Sequence, residues 1–284
     1  MKVTCLTDIH GYLDRALESF QELEEETGKT FLEDGKWVSD HKLVVNGDVF
    51  DRGPRNQDSL EWVLENADEY IIGNHEFFAL FPDVTRDFVS EEYIENSTES
   101  SLYWREMPES DREKLIEAAA SGDLSAAFKG HECIYIHAGL ENPDVETLNS
   151  QLQEAGEKLL EGYRDGPEAY VEAQNELVWT VETENGTELR SKYPELFEAK
   201  RHPEGLKGGA IWNRFNQLDT DVKQVVGHTT SKYLREKGFD YNPQRNGEAL
   251  NINTIRDSLE TGSVALTVED ERGLKIYSVE IGEK

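Results

Sequence analysis

Cysteine is almost missing from this chain: Cys5 and Cys133 are the only two in 284 residues. Two thiols cannot build a four-cysteine zinc site, and their separation lacks the CxxC-type spacing of a site made of two cysteines and two histidines. Both lie inside apolar, strand-like runs and read as reduced core residues rather than a disulfide. Long hydrophobic runs are absent too; none approaches the roughly 18 residues of a membrane span. The start of the chain goes from Met1-Lys2 directly into a strand pattern, without a signal-peptide layout. A cytoplasmic location with no membrane partner is the resulting expectation. Positive charge is scarce, with 29 Lys and Arg against 59 Asp and Glu and a formal net charge of −30. Without a basic stripe, the chain offers nucleic acid phosphates no footprint.

What is present in abundance is acid, spread along the whole chain rather than gathered in a tail. One reading is adaptation to high salt, where the Debye length shrinks to ~3 Å at 1 M. The plainer reading is an ordinary acidic protein of good solubility. The hydrophobic content of 37% over 284 residues suffices for a substantial core, in one large domain or two smaller ones. There is no internal repeat and no low-complexity linker, and a single domain over 1–284 is expected.

Hydrophobic periodicity orders the elements. Leu13, Ala16, Leu17, Phe20 and Leu23 recur at helical spacing, and Leu60, Val63, Leu64 and Ala67 mark a second helix. With the strand-like runs around them they spell β-α-β-α-β, the sign of a largely parallel sheet covered by helices. Thr27 to Ser39 reads as turns. The stretch 77–130 reads as a helical insert, with a Ser110–Glu113 capping box ahead of Leu115, Ile116 and Ala119. A second insert, 141–209, begins with a helix lined by Val145, Leu148, Leu152, Ala155 and Leu159, for which Gly162 is the expected stop. Pro167 opens another helix with Tyr170, Ala173 and Leu177 on one side. From Glu182 to Gly209 the composition is polar and loop-like. Ala249–Asn253, Ser263–Val268 and Leu274–Ile281 alternate as antiparallel strands, with turns near Asp257–Gly262 and Asp270–Gly273. The expected fold is α/β, with two mixed sheets face to face and helices outside.

Five apolar runs end on residues able to hold a hard metal ion. They lead into Asp8-Ile9-His10-Gly11, Gly47-Asp48-Val49-Phe50-Asp51-Arg52-Gly53, Gly73-Asn74-His75-Glu76, His137-Ala138-Gly139-Leu140 and Gly227-His228-Thr229. Open α/β sheets bind ligands beyond the carboxyl ends of their strands. Singly, each residue has a bland reading: a core histidine, or an Asp in a turn. Together they describe one crevice. Four of the seven histidines fall at these ends; His41, His131 and His202 are read as structural. Asp8 and His10 can turn toward one ion, and Asp48 can bridge two. Asn74 offers a neutral oxygen, and His137 and His228 offer imidazole nitrogens. Oxygen and nitrogen donors without sulfur suit Mn²⁺, Fe or Zn²⁺. Two such ions ~3.5–4 Å apart would polarise a phosphate and make hydroxide available near neutral pH.

The five motifs, in this order, resemble those of the calcineurin-like metallophosphoesterases. They are most similar to the phosphoprotein phosphatase branch, which includes the bacteriophage lambda-type phosphatases and the symmetrical diadenosine tetraphosphate hydrolases. Ile211-Trp212-Asn213-Arg214 resembles the tryptophan–arginine segment of the lambda-type enzymes. The resemblance implies a four-layer α/β/β/α fold and two divalent metals. Asp8, His10 and Asp48 would hold the first, and Asp48, Asn74, His137 and His228 the second. It also implies that Arg52 and Arg214 grip the phosphoryl oxygens, that His75 protonates the leaving group, and that Asp51 orients His75. Thr230 stands where many other metallophosphoesterases carry a second histidine, which favours the phosphatase branch. Attack by a metal-activated hydroxide on a phosphomonoester follows, as in a Ser/Thr protein phosphatase. Hydrolysis of dinucleoside polyphosphates or of 2′,3′-cyclic phosphodiesters would use the same site, and a binding module that lost catalysis is the non-enzymatic rival. A phosphorylated protein or small phosphate ester is the expected partner.

Overall fold

The computed structural model describes residues 1–89, 102–202, 205–230, 244–255, 258 and 263–281. Two sheets dominate. The first has six strands in the order β17 (Gly273–Glu280), β16 (Ser263–Asp270), β1 (Val3–Leu6), β4 (Lys42–Asn46), β5 (Glu69–Ile71) and β6 (Leu124–Ser125). From β1 to β6 its strands are parallel, while β16 and β17 are antiparallel additions at the other edge. The second has five strands in the order β14 (Gln244–Asn246), β15 (Ala249–Asn251), β13 (Gln224–Val226), β8 (Ile134–Ile136) and β7 (Ala127–Lys129). Here β8, β13 and β15 run parallel.

The two sheets pack face to face, as the α/β reading requires. Strand side chains alternate between faces. Val3, Cys5, Val44 and Ile71 from the first sheet meet Cys133, Tyr135, Val225 and Leu250 from the second in one buried cluster. Both cysteines are free thiols within it. The intervening residues Leu6, Leu43, Val45 and Tyr70 join the helix-side core with Phe20, Leu23, Leu60 and Val63, which come from the helices Leu13–Thr27 and Asn56–Asn66. The stretch 27–39 carries a short hairpin, β2 (Leu32–Glu33) with β3 (Lys36–Trp37).

Several boundaries differ from the sequence reading. The helix Glu109–Ser121 starts one residue before Ser110, so the Ser110–Glu113 capping box does not form; Pro108 takes the N-cap without a side-chain bond. The stretch 77–130 also ends in strands β6 and β7, and its residues 90–101 lie outside the described chain. Gly162 does not stop its helix, which runs from Val145 to Asp165 and ends at Gly166, φ 115°. Gly162 serves packing instead: a Cβ there would sit 2.7 Å from the Ala169 carbonyl oxygen of the helix Pro167–Leu177. Ala249–Asn253 is not purely antiparallel, since β15 pairs parallel with β13 and antiparallel with β14. Most of the turn near Asp257–Gly262 lies outside the described residues.

The largest correction concerns 182–209. In place of a loop there is a four-stranded antiparallel sheet, β12 (Gly205–Gly208), β11 (Ala199–His202), β10 (Gly186–Ser191) and β9 (Val178–Thr183). Of its apolar residues Val178, Leu189 and Ala199 are fully buried, whereas Trp179 is 42% exposed. The buried Glu188 is neutralised within the sheet, by Arg190 Nη2 at 2.8 Å and by the Arg201 backbone N–H at 3.0 Å. A polar sequence can therefore fold as a packed sheet when the acid it buries is paired inside it.

Candidate active site

The carboxyl ends of β1, β4 and β5 sit beside those of β8 and β13, and the residues that follow them meet there. Asn46, the last residue of β4, ties the sheets together. Its Nδ2 donates to Ile136 O at 3.3 Å and Val225 O at 3.1 Å, and its carbonyl lies 3.0 Å from His137 Nδ1. The Asp8 backbone N–H donates to Gly47 O at 3.0 Å and that of His10 to Asp48 O at 2.8 Å, so the first two loops are laced together.

The backbone there is strained. Seven non-glycine residues among those described have positive φ, and six are Asp8 (54°), His10 (49°), Asp48 (52°), Asp51 (68°), Arg52 (83°) and His228 (60°). This region disfavours L-residues by roughly 1–2 kcal/mol each. Such residues cluster where surrounding structure over-determines them, commonly at functional sites. The neighbouring glycines admit a carboxylate and an imidazole: a Cβ on Gly227 would lie 2.0 Å from Asp8 Oδ2, and one on Gly47 2.4 Å from His137 Nδ1.

Asp48 is the centre. Its Oδ2 lies 3.4 Å from His137 Nε2, 3.6 Å from His10 Nε2 and 3.9 Å from His75 Nε2. Asp8 Oδ1 lies 3.9 Å from His10 Nε2. Two groups of donor atoms converge, Asp48 with His137 and His228, and Asp48 with His10 and His75. Asn74 reaches the site through Oδ1, 2.8 Å from His228 Nδ1. All six expected metal ligands are thus gathered. His75, expected as an acid, also falls inside one of these donor groups.

The donor set fits divalent cations. His137 Nε2 and His228 Nε2 are buried and lack a hydrogen-bond partner, while their Nδ1 atoms are held by Asn46 O and Asn74 Oδ1. That is how ligating imidazoles are oriented. Burial works against the Asp48 carboxylate, but His137, His75 and His10 outweigh it and hold its pKa well below the usual range. Burial likewise opposes the His137 imidazolium, yet Asp48 and Asp8 raise its pKa to about 10. Asp8, facing Asp48 in a dry site, is pushed up to about 7 chiefly by burial. Burial, with Arg52 and Arg214 respectively, drives His10 and His228 well below 6.5 and leaves both neutral. Crowded carboxylates beside the neutral His10 and His228 are the chemistry of a cation site, and a cation bound there would displace the proton that Asp48 and Asp8 favour on His137.

The expected acid pair is also assembled. His75 Nδ1 and Asp51 Oδ2 are 2.6 Å apart, and the Trp104 backbone N–H holds Asp51 Oδ1 at 3.0 Å. Arg52 Nη2 lies 3.3 Å from His75 Nε2. Arg52, Arg214, His75 and His228 share a cleft of about 460 Å³ with Asp48.

Three contributors escaped the sequence reading. Glu76, fully buried, accepts from the Asp48 and Gly73 backbone N–H groups at 2.9 and 2.7 Å, from Val49 N–H at 2.9 Å and from Tyr70 Oη at 2.9 Å. It fixes the Asp48 loop to the helix Asn74–Leu80 and was legible only as the last letter of its motif. Asn253 Nδ2 donates to Asp8 Oδ1 at 2.9 Å. Arg201, from β11, lines the same cleft. Neither of these last two carries a local signal.

The family model of the calcineurin-like phosphoesterases matches residues 1–256. Among solved structures, the cold-active protein tyrosine phosphatase of a psychrophilic Shewanella species is similar in fold, with a TM-score of 0.51 at 17% identity over 98% of this chain and 80% of that one. A mutant of a cold-active protein tyrosine phosphatase gives a TM-score of 0.52 at 17% identity, with coverage of 98% and 80%. No curated protein matches the sequence. No described helix is long and apolar enough to cross a membrane. With the family match spanning most of the chain and the donor groups gathered at the strand ends, this protein belongs to the calcineurin-like phosphoesterases, a metal-dependent family of hydrolases.

Proposed function

We propose that this protein is a metal-dependent phosphomonoesterase acting on phosphorylated protein side chains or small phosphate esters. The observation that carries this reading is one carboxylate oxygen, Asp48 Oδ2, facing three imidazole nitrogens in a cleft that also holds Arg52 and Arg214. Two divalent ions, Mn²⁺ or else Fe or Zn²⁺, held by Asp8, His10, Asp48, Asn74, His137 and His228, would supply charge to polarise the ester and activate water. Arg52 and Arg214 bind the non-bridging phosphoryl oxygens through their planar forks. Asp51 fixes the His75 ring through Nδ1; Nε2, which accepts from Arg52 here, takes on its acid role when it carries a proton and Arg52 turns to the phosphate. Arg52 beside Nε2 places the gripped phosphate next to that proton.

The test is metal removal. Hydrolysis of an aryl phosphate should vanish after exhaustive chelation and return with Mn²⁺. Full activity in metal-stripped protein would end the reading. Phosphopeptides, diadenosine tetraphosphate and 2′,3′-cyclic nucleotides assayed beside it would separate the phosphomonoesterase from its two enzymatic rivals.

A further inference from the structure

The described lining of the active cleft inverts the charge of the whole molecule. Acids outnumber bases 59 to 29 in the chain, yet Asp48 is the one acid on the lining, against Arg52, Arg201 and Arg214. Arg52 and Arg214 belong to motifs already assigned to the scissile phosphate. Arg201 does not: it comes from β11, in the extra four-stranded sheet.

Its head group is held in place. The backbone N–H donates to Glu188 Oε1 and Nε donates to Thr187 O, each at 3.0 Å. The guanidinium carbon stands 5.5 Å from the centre of the Phe88 ring. The described acids nearby have other side-chain partners. Glu188 Oε2 pairs with Arg190 at 2.8 Å, and Glu198 pairs with Arg190 and, at 2.9 Å, with Lys200. Arg201 forms no ion pair among the described residues, in a sheet where Arg190 and Lys200 do. Phe88, Leu206 and Trp212 line the cleft beside it and keep that wall apolar, which strengthens a charge–charge contact.

We propose that Arg201 is a specificity residue: it forms a second oxyanion subsite, and the preferred substrate is a phosphate ester whose leaving group carries another carboxylate or phosphate. This rests on the phosphomonoesterase reading for the first phosphate.

A matched series tests it on the Mn²⁺-loaded protein: phenyl phosphate, 3-carboxyphenyl phosphate and 1,3-phenylene bisphosphate. Arg201→Gln should lower kcat/KM about tenfold for at least one doubly anionic compound, as expected for a lost charge-assisted bond. Phenyl phosphate should change less than about twofold. Which of the two doubly anionic compounds suffers identifies the oxyanion as carboxylate or phosphate. Arg201→Lys keeps the charge without the fork and should fall between; it also carries the test should the glutamine variant fail to fold. An equal loss on all three compounds would make Arg201 a support of the scaffold, and no loss on any would remove it from recognition; either overturns the proposal. Calorimetric affinities for phenylphosphonate, 3-carboxyphenylphosphonate and 1,3-phenylenebisphosphonate provide a readout without turnover. If the wild type hydrolyses nothing, the phosphomonoesterase reading fails. The tighter binding of a doubly anionic phosphonate, and its loss in the variant, would still decide the role of Arg201.

Discussion

At the scale of single residues, two carboxylate-centred arrangements organise the site. His75 is clamped by Asp51 at 2.6 Å, yet its Nε2 is also 3.9 Å from Asp48. A proton donor and a metal ligand can be told apart by substitution. His75→Ala should lower turnover about 10²–10⁴-fold, with metal content near that of the wild type by elemental analysis. Loss of the metals in step with activity would make His75 a ligand instead. Glu76 acts one step further out, through the four donors it accepts. Glu76→Gln turns one acceptor oxygen into a donor against those N–H groups. It should destabilise the fold by on the order of 2 kcal/mol, visible as a lower melting temperature, and weaken metal binding as the Asp48 loop loosens. An unchanged melting curve would mean that Glu76 does not brace that loop.

Among elements, the sheet pair and its first two helices were legible because local periodicity and burial agree there. Helix packing was less so. The helix Val145–Asp165 carries Gly156 and Gly162 in its interior, and glycine signals a stop when only sequence is considered. In the fold, each lets another helix approach. A Cβ on Gly156 would sit 2.4 Å from the Ala119 carbonyl carbon of the helix Glu109–Ser121. Gly156→Val should therefore cost about 1–3 kcal/mol in an equilibrium unfolding experiment, while the same change at Gly122, where nothing closer than 3.8 Å meets the Cβ, probes only the strain of its φ of 86°. The sheet β9–β12 was hidden for another reason. Its strands bury few apolar side chains, and its buried Glu188 finds Arg190 within the same strand, so composition reads as loop.

For the molecule as a whole, the net charge of −30 sets a uniform repulsion that the arginine-lined cleft locally reverses. Self-repulsion weakens as salt shortens the Debye length from ~10 Å at 0.1 M to ~3 Å at 1 M. The melting temperature should rise over that interval, as expected of a salt-adapted protein. Equal stability at both concentrations would favour an ordinary acidic surface.

The sequence by itself determined the strand ends and the candidate ligands that follow them, because a motif of three to seven residues fixes its own turn and the side chains it presents. It also determined that no four-thiolate metal site can form, since two cysteines are too few. Only tertiary structure decided that Glu76 braces the Asp48 loop, that Asn253 holds Asp8 and that Arg201 enters the cleft. Each of these depends on a partner distant in sequence or on another sheet, and no local pattern of residues encodes where such a partner will stand.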